Sequence, residues 1–228
     1  MARDTLTQEH IVSTAIELLD EEGLEGLNMR SLGKRLDSAA TAVYWHVKNK
    51  DNLVLLAADH VWHEIELPDA RALGWREAAE RLATGLHEML GRHPWLVPAF
   101  GTHLFYGPGK ARYDDLCLAT YESAGFTEAE ADRAAATVFT FVLGSALTVA
   151  SEASLTRRLG RDGDDARARL DETMAKAAEV ARPFPRLRAR LDAPEGTAYA
   201  AAPEGSFAFG LRMLLGALEA EVAGRAAR

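Results

Sequence analysis

Glycine and proline residues divide this chain of 228 residues into segments that each carry the periodicity of an α-helix. Within the segments apolar residues recur every three or four positions, and no alternating pattern typical of a β-strand continues for more than a few residues. Thr7 is a suitable N-cap for the first predicted helix, and Gly23 is predicted to end it. A hydrophobic content of 48% is ample for a buried core. The sequence therefore predicts an all-α protein.

One segment, residues 134–151, carries no charge and approaches the length of a membrane-spanning helix. It contains three threonines and two serines, and much of the remainder is alanine, so we expect a helix buried in protein rather than a membrane span. The polar N-terminal residues lack the pattern of a signal peptide. A single cysteine, Cys117, excludes an intrachain disulfide. We expect a cytoplasmic protein with no membrane partner.

Three short helices are predicted within the first 50 residues. Asn28 can cap the second, which spans residues 29–36, and the third spans about residues 41–47. A tight turn of four residues joins the second helix to the third. This arrangement is that of a helix-turn-helix, whose last helix enters the major groove of DNA.

The third predicted helix has apolar anchors on one side only. Val43 and Val47 face inward, so the three large rings at positions 44–46 cannot all be buried as well. Five basic residues and one acidic residue lie between positions 28 and 50, although the whole chain has a net charge of −8. This local basic patch indicates a confined anionic partner. Small residues on the outer side permit close approach, and hydroxyl, imidazole and ammonium groups can reach base edges and phosphates. The candidate DNA-binding residues on this pattern are Thr41, Ala42, Tyr44, Trp45, His46, Lys48 and Lys50.

The first 66 or so residues resemble the DNA-binding head of the tetracycline-repressor (TetR) family of bacterial transcriptional regulators. The similar stretches are LTQEHIVSTAIELLDEEGLEGLNMRSLGKRL and VYWHVKNKDNL, and the final FAFGLRMLLGALEAEV resembles the last helix of the tetracycline-repressor branch. The resemblance implies an all-α homodimer that binds a palindromic DNA operator and is released by a small molecule in its C-terminal domain. It also implies a base or phosphate contact for Arg30 and a phosphate contact for Lys50.

Two positions depart from the pattern of that family. Ala40 and Thr41 stand where tetracycline repressors have a glutamine–proline pair. Ala40 remains a recognition position, but alanine cannot read a base edge as glutamine does, so the operator sequence does not carry over. Asp37 replaces the usual glycine of the turn, and aspartate tolerates left-handed geometry better than most residues.

We predict three regions along the chain. Residues 1–50 form the helix-turn-helix DNA-binding domain, residues 51–74 form a connecting helix and hinge, and residues 75–228 form a larger helical ligand-binding and dimerisation domain.

The ligand pocket is expected to be mostly apolar with a few polar groups. Aligned without gaps, the tetracycline-recognition positions of the family fall on Glu66, Leu82 and Phe100, of which the last two cannot hold the drug or its magnesium ion. We therefore predict a small apolar or aromatic effector, without magnesium or another cofactor. For each candidate taken alone, core packing is the simpler alternative. The candidate ligand-binding residues are Trp62, Leu86, Met89, Phe100, His103, Phe105, Tyr106, Tyr121 and Phe139.

Two segments, residues 134–151 and 207–221, are too apolar to face water. The resemblance implies that they pair across a two-fold axis as a four-helix bundle, and small residues in both permit close packing. Burial of both helices inside a monomer is the alternative. The candidate interface residues are Phe141, Gly144, Leu147, Phe207, Leu211, Leu214 and Leu218.

Two other classes of protein remain as alternatives. A helical metal-dependent enzyme is the main one, because His60 and His63 are three residues apart and can share a helix face, although no third ligand is visible nearby. Cys117 lies on an apolar helix face beside two acids, which raises its pKa rather than activating it. The other alternative is a helical interaction protein that does not bind DNA. The sequence favours a ligand-responsive DNA-binding repressor over an enzyme.

Overall fold

The computed structural model describes residues 6–160, 166–193 and 205–226. Within these ranges the chain is helical and contains no β-strand, which confirms the all-α prediction. The helices are α1 (Gln8–Gly26), α2 (Met29–Arg35), α3 (Ala40–Val47), α4 (Lys50–Trp62), α5 (Ala70–Leu73), α6 (Trp75–Arg92), α7 (Leu96–Ala99), α8 (Pro108–Ser123), α9 (Glu128–Gly160), α10 (Ala166–Ala181), α11 (Pro185–Leu191) and α12 (Ser206–Ala226).

The caps of the first two helices are those that the sequence predicts. The Thr7 side chain accepts a hydrogen bond from the backbone N–H of His10, and the Asn28 side chain accepts one from Ser31. Gly23 does not end α1 but bends it, since its φ of 73° interrupts the helix before a last turn that continues to Gly26. The positive φ explains both the break and the need for glycine there.

The turn between α2 and α3 is tight and left-handed at one residue. Asp37 has a φ of 46°, and the N–H of Ser38 returns to the carbonyl of Gly33 at 2.9 Å. The first turn of α3 begins at Ala40, one residue earlier than predicted. Within α3, Val43 and Val47 are buried in the head, whereas Thr41, Tyr44, Trp45 and His46 are exposed.

The C-terminal part packs around α9, which contacts α6, α8, α10 and α12. Helix α4 joins the two parts because it packs against α1 of the head on one side and α8 on the other. The end of the predicted connecting region, residues 51–74, forms the short helix α5, whose first turn is capped by the Asp69 side chain. The head therefore meets the larger domain through α4 as well as through the linker that follows it.

Helix α9 contains the segment that raised the question of a membrane. Residues 128–158 are long and apolar enough to cross a bilayer by length and composition, with a mean hydropathy of 1.7 in the most apolar window. In the structure, 28% of that window is buried within the chain, and the helix packs against five others, α6, α7, α8, α10 and α12. Part of its apolar surface is left exposed by the single chain.

Candidate DNA-binding surface and ligand cavity

The outer face of α3 exposes large side chains. Val43 and Val47 are fully buried, whereas Tyr44 is 47% exposed and Trp45 is 90% exposed. Thr41 and His46 are also exposed, and the small Ala40 and Ala42 are partly buried beside them. The aromatic pair is thus not part of the core, and α3 presents rings, a hydroxyl and an imidazole on one accessible face.

Two side chains from neighbouring helices hold the end of α3. Gln8, at the start of α1, donates from its amide to the carbonyl of His46 at 3.2 Å. Asn52, in the first turn of α4, donates to the carbonyl of Val47 at 3.1 Å. Both acceptors are carbonyls that a helix end leaves without an intrahelical partner. The orientation of α3 is therefore tied to both α1 and α4, which the sequence pattern does not reveal.

The basic residues near α3 differ in their surroundings. Arg30 and Lys48 are exposed, and Lys48 has a φ of 62° where the chain leaves α3. Lys50 is partly buried, and its ammonium group donates to the carbonyl of Leu24 at 2.6 Å, so it ties α4 to the end of α1. The phosphate contact that the resemblance implies for Lys50 requires this side chain to leave that carbonyl.

An aromatic cavity of about 490 Å³ lies between α6, the segment before α8, α8 itself and α9. Five predicted ligand residues line it: Phe100, His103, Phe105, Tyr121 and Phe139. The other four lie outside its lining. Trp62, Leu86 and Met89 are fully buried in the core, and Tyr106 is 67% exposed. Residues that periodicity alone does not single out, including Lys110, Tyr113 and Cys117, complete the wall.

The rings of the cavity pack edge to face. The Phe100 ring lies 4.9 Å from that of Phe105 and 5.5 Å from that of Phe139, measured between centroids. Lys110 forms an ion pair with Asp114, and its ammonium lies 5.8 Å from the Phe139 ring centroid. The wall is therefore aromatic with one internal ion pair.

The thiol and the two buried phenols of the cavity wall stay neutral near pH 7. Burial raises the pKa of the Cys117 thiol to about 12, despite a hydrogen bond with Tyr113 that acts in the other direction. Burial also raises the pKa of Tyr113 and of Tyr121. Tyr113 donates from its hydroxyl to the carbonyl of Leu82 at 3.2 Å. A thiol that is protonated at neutral pH is not a nucleophile, in agreement with the expectation for Cys117.

Two polar contacts join the wall of the aromatic cavity to α4. His103 Nε2 lies 3.7 Å from Asp51 Oδ1 in the first turn of α4. Further along α4, Asp59 Oδ1 accepts hydrogen bonds from the backbone N–H groups of Gly109 at 2.8 Å and Lys110 at 3.3 Å. Asp59 thereby caps the N-terminus of α8 from another helix.

Glycine allows this close approach of α8 to α4. A Cβ atom at Gly107 would lie 2.3 Å from the Asp59 carboxyl, and one at Gly109 would lie 2.5 Å from the Asp59 carbonyl oxygen. The second clash is with backbone, which cannot rotate away. The contact between the cavity wall and α4 therefore depends on these two glycines.

A second, larger cleft of about 960 Å³ lies between the linker after α4 and the outer face of α6. Its lining includes five glutamates and three arginines, so it differs in character from the aromatic cavity. Glu66 lies in this cleft, whereas Leu82 and Phe100 line the aromatic cavity. The three positions aligned with tetracycline recognition therefore do not share one cavity. The smaller cavity has the lining that an apolar ligand needs.

Helices α9 and α12 carry exposed apolar side chains. Leu147 is exposed, and so are Val149, Phe209 and Met213, which the sequence analysis did not single out. Of the other predicted interface residues, Gly144 is exposed, while Phe141, Phe207, Leu214 and Leu218 are partly buried. Leu211 is only 3% exposed and packs in the core of the chain itself.

The two histidines of the metal-enzyme alternative, His60 and His63, are both exposed. Among the residues that the structure describes, no group of three or more His, Cys, Asp or Glu side chains is placed to hold a metal ion.

Comparison with known proteins shows which family this chain is similar to. The family model "Bacterial regulatory proteins, tetR family" matches residues 11–57, and "Tetracyclin repressor-like, C-terminal domain" matches residues 67–222. The chain is 39% identical over 140 residues to an HTH-type transcriptional regulator of Saccharopolyspora erythraea, a match that spans 61% of this chain and about three fifths (59%) of that protein. It is 29% identical over 225 residues to an HTH-type transcriptional repressor of Streptomyces coeruleorubidus, with 98% of this chain and 81% of that protein covered.

A solved structure agrees in fold over 96% of the chain. The TetR family protein ActR of Streptomyces coelicolor, in complex with actinorhodin, has a TM-score of 0.73 at 25% identity, with 96% of this chain and 99% of that chain covered. The relatives are named as transcriptional regulators and repressors, and nothing supports the alternative of an enzyme using His60 and His63. The chain therefore belongs to the tetracycline-repressor (TetR) family of bacterial transcriptional regulators.

Proposed function

We propose that this regulator is a homodimeric repressor that binds a palindromic operator through α3 and leaves it when an apolar, aromatic molecule occupies the aromatic cavity. The observation that carries the proposal is the pair of polar contacts between the cavity wall and α4, His103 with Asp51 and the start of α8 with Asp59. Residues 1–50 read DNA, residues 51–74 transmit the signal, and residues 75–228 bind ligand and dimerise. The protein acts in the cytoplasm, where the bacterial chromosome lies.

The exposed face of α3 supports a direct reading of base edges. An indole that is 90% exposed on a short helix contributes almost nothing to the core, so its place is better explained by a partner that covers it. Thr41 and Tyr44 offer hydroxyl groups to bases, and the ring faces can contact thymine methyl groups. Arg30 and Lys48 are free to reach phosphates from either side of α3.

The apolar face of α9 and α12 supports a dimer. Four exposed apolar side chains lie on two adjacent helices: Leu147, Val149, Phe209 and Met213. Pairing with the same helices of a second copy would cover part of this exposed apolar surface in a self-complementary contact. Two heads held by one such interface can occupy two half-sites at least about one helical turn of DNA apart.

The cavity chemistry supports an uncharged or weakly polar aromatic effector. Its volume lies within the usual range for small-molecule sites, and its phenols and thiol are neutral at pH 7. A flat ring system can stack within the cage of Phe100, Phe105 and Phe139. The similar protein ActR has been solved with actinorhodin bound, which also supports a small-molecule effector here.

Release follows from where the cavity wall touches α4. A ligand that displaces His103 or the first turn of α8 also displaces Asp51 or Asp59, and α4 carries the head. A change in the angle of α4 alters the separation of the two heads and so their fit to successive major grooves. This requires the ligand to bind the released arrangement more tightly, by about 1–3 kcal/mol for ordinary coupling.

Selection of bound duplexes from a random DNA pool, with the full chain at near-physiological salt, tests the proposal. We expect enrichment of a palindrome with two spaced half-sites, and loss of that enrichment for Tyr44→Ala but not for Glu9→Ala, an exposed position on α1. Enrichment of a single, non-repeated site would contradict the dimeric reading. No enrichment by a folded protein, refolded away from any bound ligand, would contradict the DNA-reading role of α3.

A further inference from the structure

A histidine is buried where the head, α4 and the larger domain meet. His93 lies between α6 and α7, and its side chain is 8% exposed. Its Nδ1 is 2.8 Å from Asp20 Oδ1 on α1, and its Nε2 is 3.1 and 3.2 Å from the two carboxylate oxygens of Glu64, just after α4. One ring therefore bridges carboxylates from two different elements.

Each carboxylate has a further donor from the larger domain. Trp95 donates from its indole N–H to Asp20 Oδ1 at 2.9 Å, and Arg92 donates from Nε and a terminal nitrogen to Glu64 Oε2 at 3.1 and 3.0 Å. We call these five residues the His93 cluster. Its charged or titratable members are Asp20, Glu64, Arg92 and His93, and they connect the corner between α6 and α7 to both α1 and the end of α4.

We propose that His93 is a positioning residue for operator binding, which in its doubly protonated form holds the head and the end of α4 on the larger domain in one arrangement. Ionised carboxylates only accept hydrogen bonds, and a neutral imidazole has a single N–H to donate. Bonding on both sides of the ring therefore requires the imidazolium. Loss of its proton leaves either Asp20 or Glu64 without its bond to the ring.

The electrostatics of the cluster agree with this geometry. Burial lowers the pKa of His93, but the hydrogen bonds and negative charges of Asp20 and Glu64 outweigh it, so the net pKa lies above the ordinary value. A histidine whose pKa is raised by folding stabilises the folded arrangement fully below the unfolded pKa of about 6.5. That contribution is lost as the pH rises through the higher folded value. The contacts are thus complete in mildly acid solution and incomplete in alkaline solution.

Operator affinity is expected to follow the protonation of His93. A head held in one arrangement has less freedom to lose on binding than a loosely held head. This step rests on the proposed two-headed dimer, in which both heads must fit the duplex at once. We expect operator binding to weaken as the pH rises, by about tenfold, which is about 1.4 kcal/mol and the scale of one hydrogen bond to a charged group.

The test is the affinity of the full-length dimer for the selected duplex between pH 6 and 8.5, by fluorescence anisotropy at constant ionic strength. His93→Gln cannot be protonated, and the exposed His60→Gln is the matched control. His46, which lies on α3, is unchanged in all three proteins, so its contribution to operator binding is common to them. We expect His93→Gln to bind the duplex weakly at pH 6 and to approach the wild-type affinity at high pH. The loss of affinity with rising pH, which His60→Gln retains, should be absent from His93→Gln.

Titration of the His93 ring protons by NMR in the full chain is the second measurement, and it needs no DNA. We expect a pKa above that of exposed histidines, lowered by Asp20→Asn and by Glu64→Gln. A wild-type pH profile in His93→Gln, or a lower thermal midpoint with unchanged affinity at every pH, would overturn the proposal. Absence of duplex binding at any pH would instead contradict the proposed two-headed reading, and a His93 pKa that Asp20→Asn and Glu64→Gln do not lower would overturn the bridging of both carboxylates by the imidazolium.

Discussion

The capping of α8 by Asp59 can be tested by removing its carboxylate. In Asp59→Ala, the N–H groups of Gly109 and Lys110 lose an acceptor at 2.8 and 3.3 Å. Loss of a helix N-cap costs about 1 kcal/mol. For a chain of this size, about 1 kcal/mol corresponds to a decrease of about 2–4 °C in the thermal midpoint.

The matched control is Asp59→Asn, which keeps the acceptor oxygen and removes only the charge. We expect it to lose less stability than Asp59→Ala, because interaction of a charge with a helix terminus contributes about 0.3–1 kcal/mol. Thermal unfolding followed by circular dichroism at one fixed protein concentration measures both variants. Amide hydrogen exchange at Gly109 and Lys110 locates the effect, and we expect it to accelerate in Asp59→Ala only.

The capping contact also has a functional readout. For any molecule that releases the operator from the wild type, the ratio of operator Kd with and without that molecule should shrink in Asp59→Ala. Equal losses in the two variants, or unchanged exchange at the start of α8, would refute the role of the Asp59 oxygen as the acceptor that joins α4 to α8.

Three further predictions concern the head and one ion pair. Val47→Ala should lower the free energy of unfolding by about 2–3 kcal/mol. Trp45→Ala should change that free energy by less than about 0.5 kcal/mol and yet weaken operator binding. Similar unfolding curves for the two variants would contradict this prediction. Arg30→Ala should reduce the slope of log K against log salt by about one unit, and an unchanged slope would exclude a phosphate contact. Arg225 donates to Glu130 and holds the pKa of that carboxyl at about 2, so an NMR acid titration should show the pair intact above about pH 4.5 and lost as the pH falls towards 2; an ordinary pKa would contradict it.

The local features of the head were predictable from the sequence. Thr7 and Asn28 are caps because their side chains bond to amides three residues away, and Val43 and Val47 are buried because they share one face of α3. Such relations span a few residues, so periodicity and residue type are sufficient to predict them. Gly23 shows the limit of such local prediction. The sequence indicates a break in the helix, and only the backbone of the structure shows that a last helical turn follows it.

The contacts between elements were not predictable in the same way. Asp59 reaches Gly109 across 50 residues, and His93 reaches Asp20 across 73. A single sequence contains no signal for pairs so far apart. The cavity was predicted in part, because aromatic residues in the punctuated segment around Phe100 do line it, whereas Met89 has the same apolar character and is buried in the core.

The two glycines at the start of α8 have a consequence for protein engineering. A side chain at Gly109 would clash with the α4 backbone, and one at Gly107 would clash with the Asp59 carboxyl that caps α8, so neither glycine can be replaced without disturbing the contact between α8 and α4. The opposite walls of the cavity, on α6 and α9, do not carry that restriction. Under the proposed function, a biosensor with a new specificity is therefore best built by varying wall positions such as Ala83 and Val138, while the first turn of α8 is left unaltered.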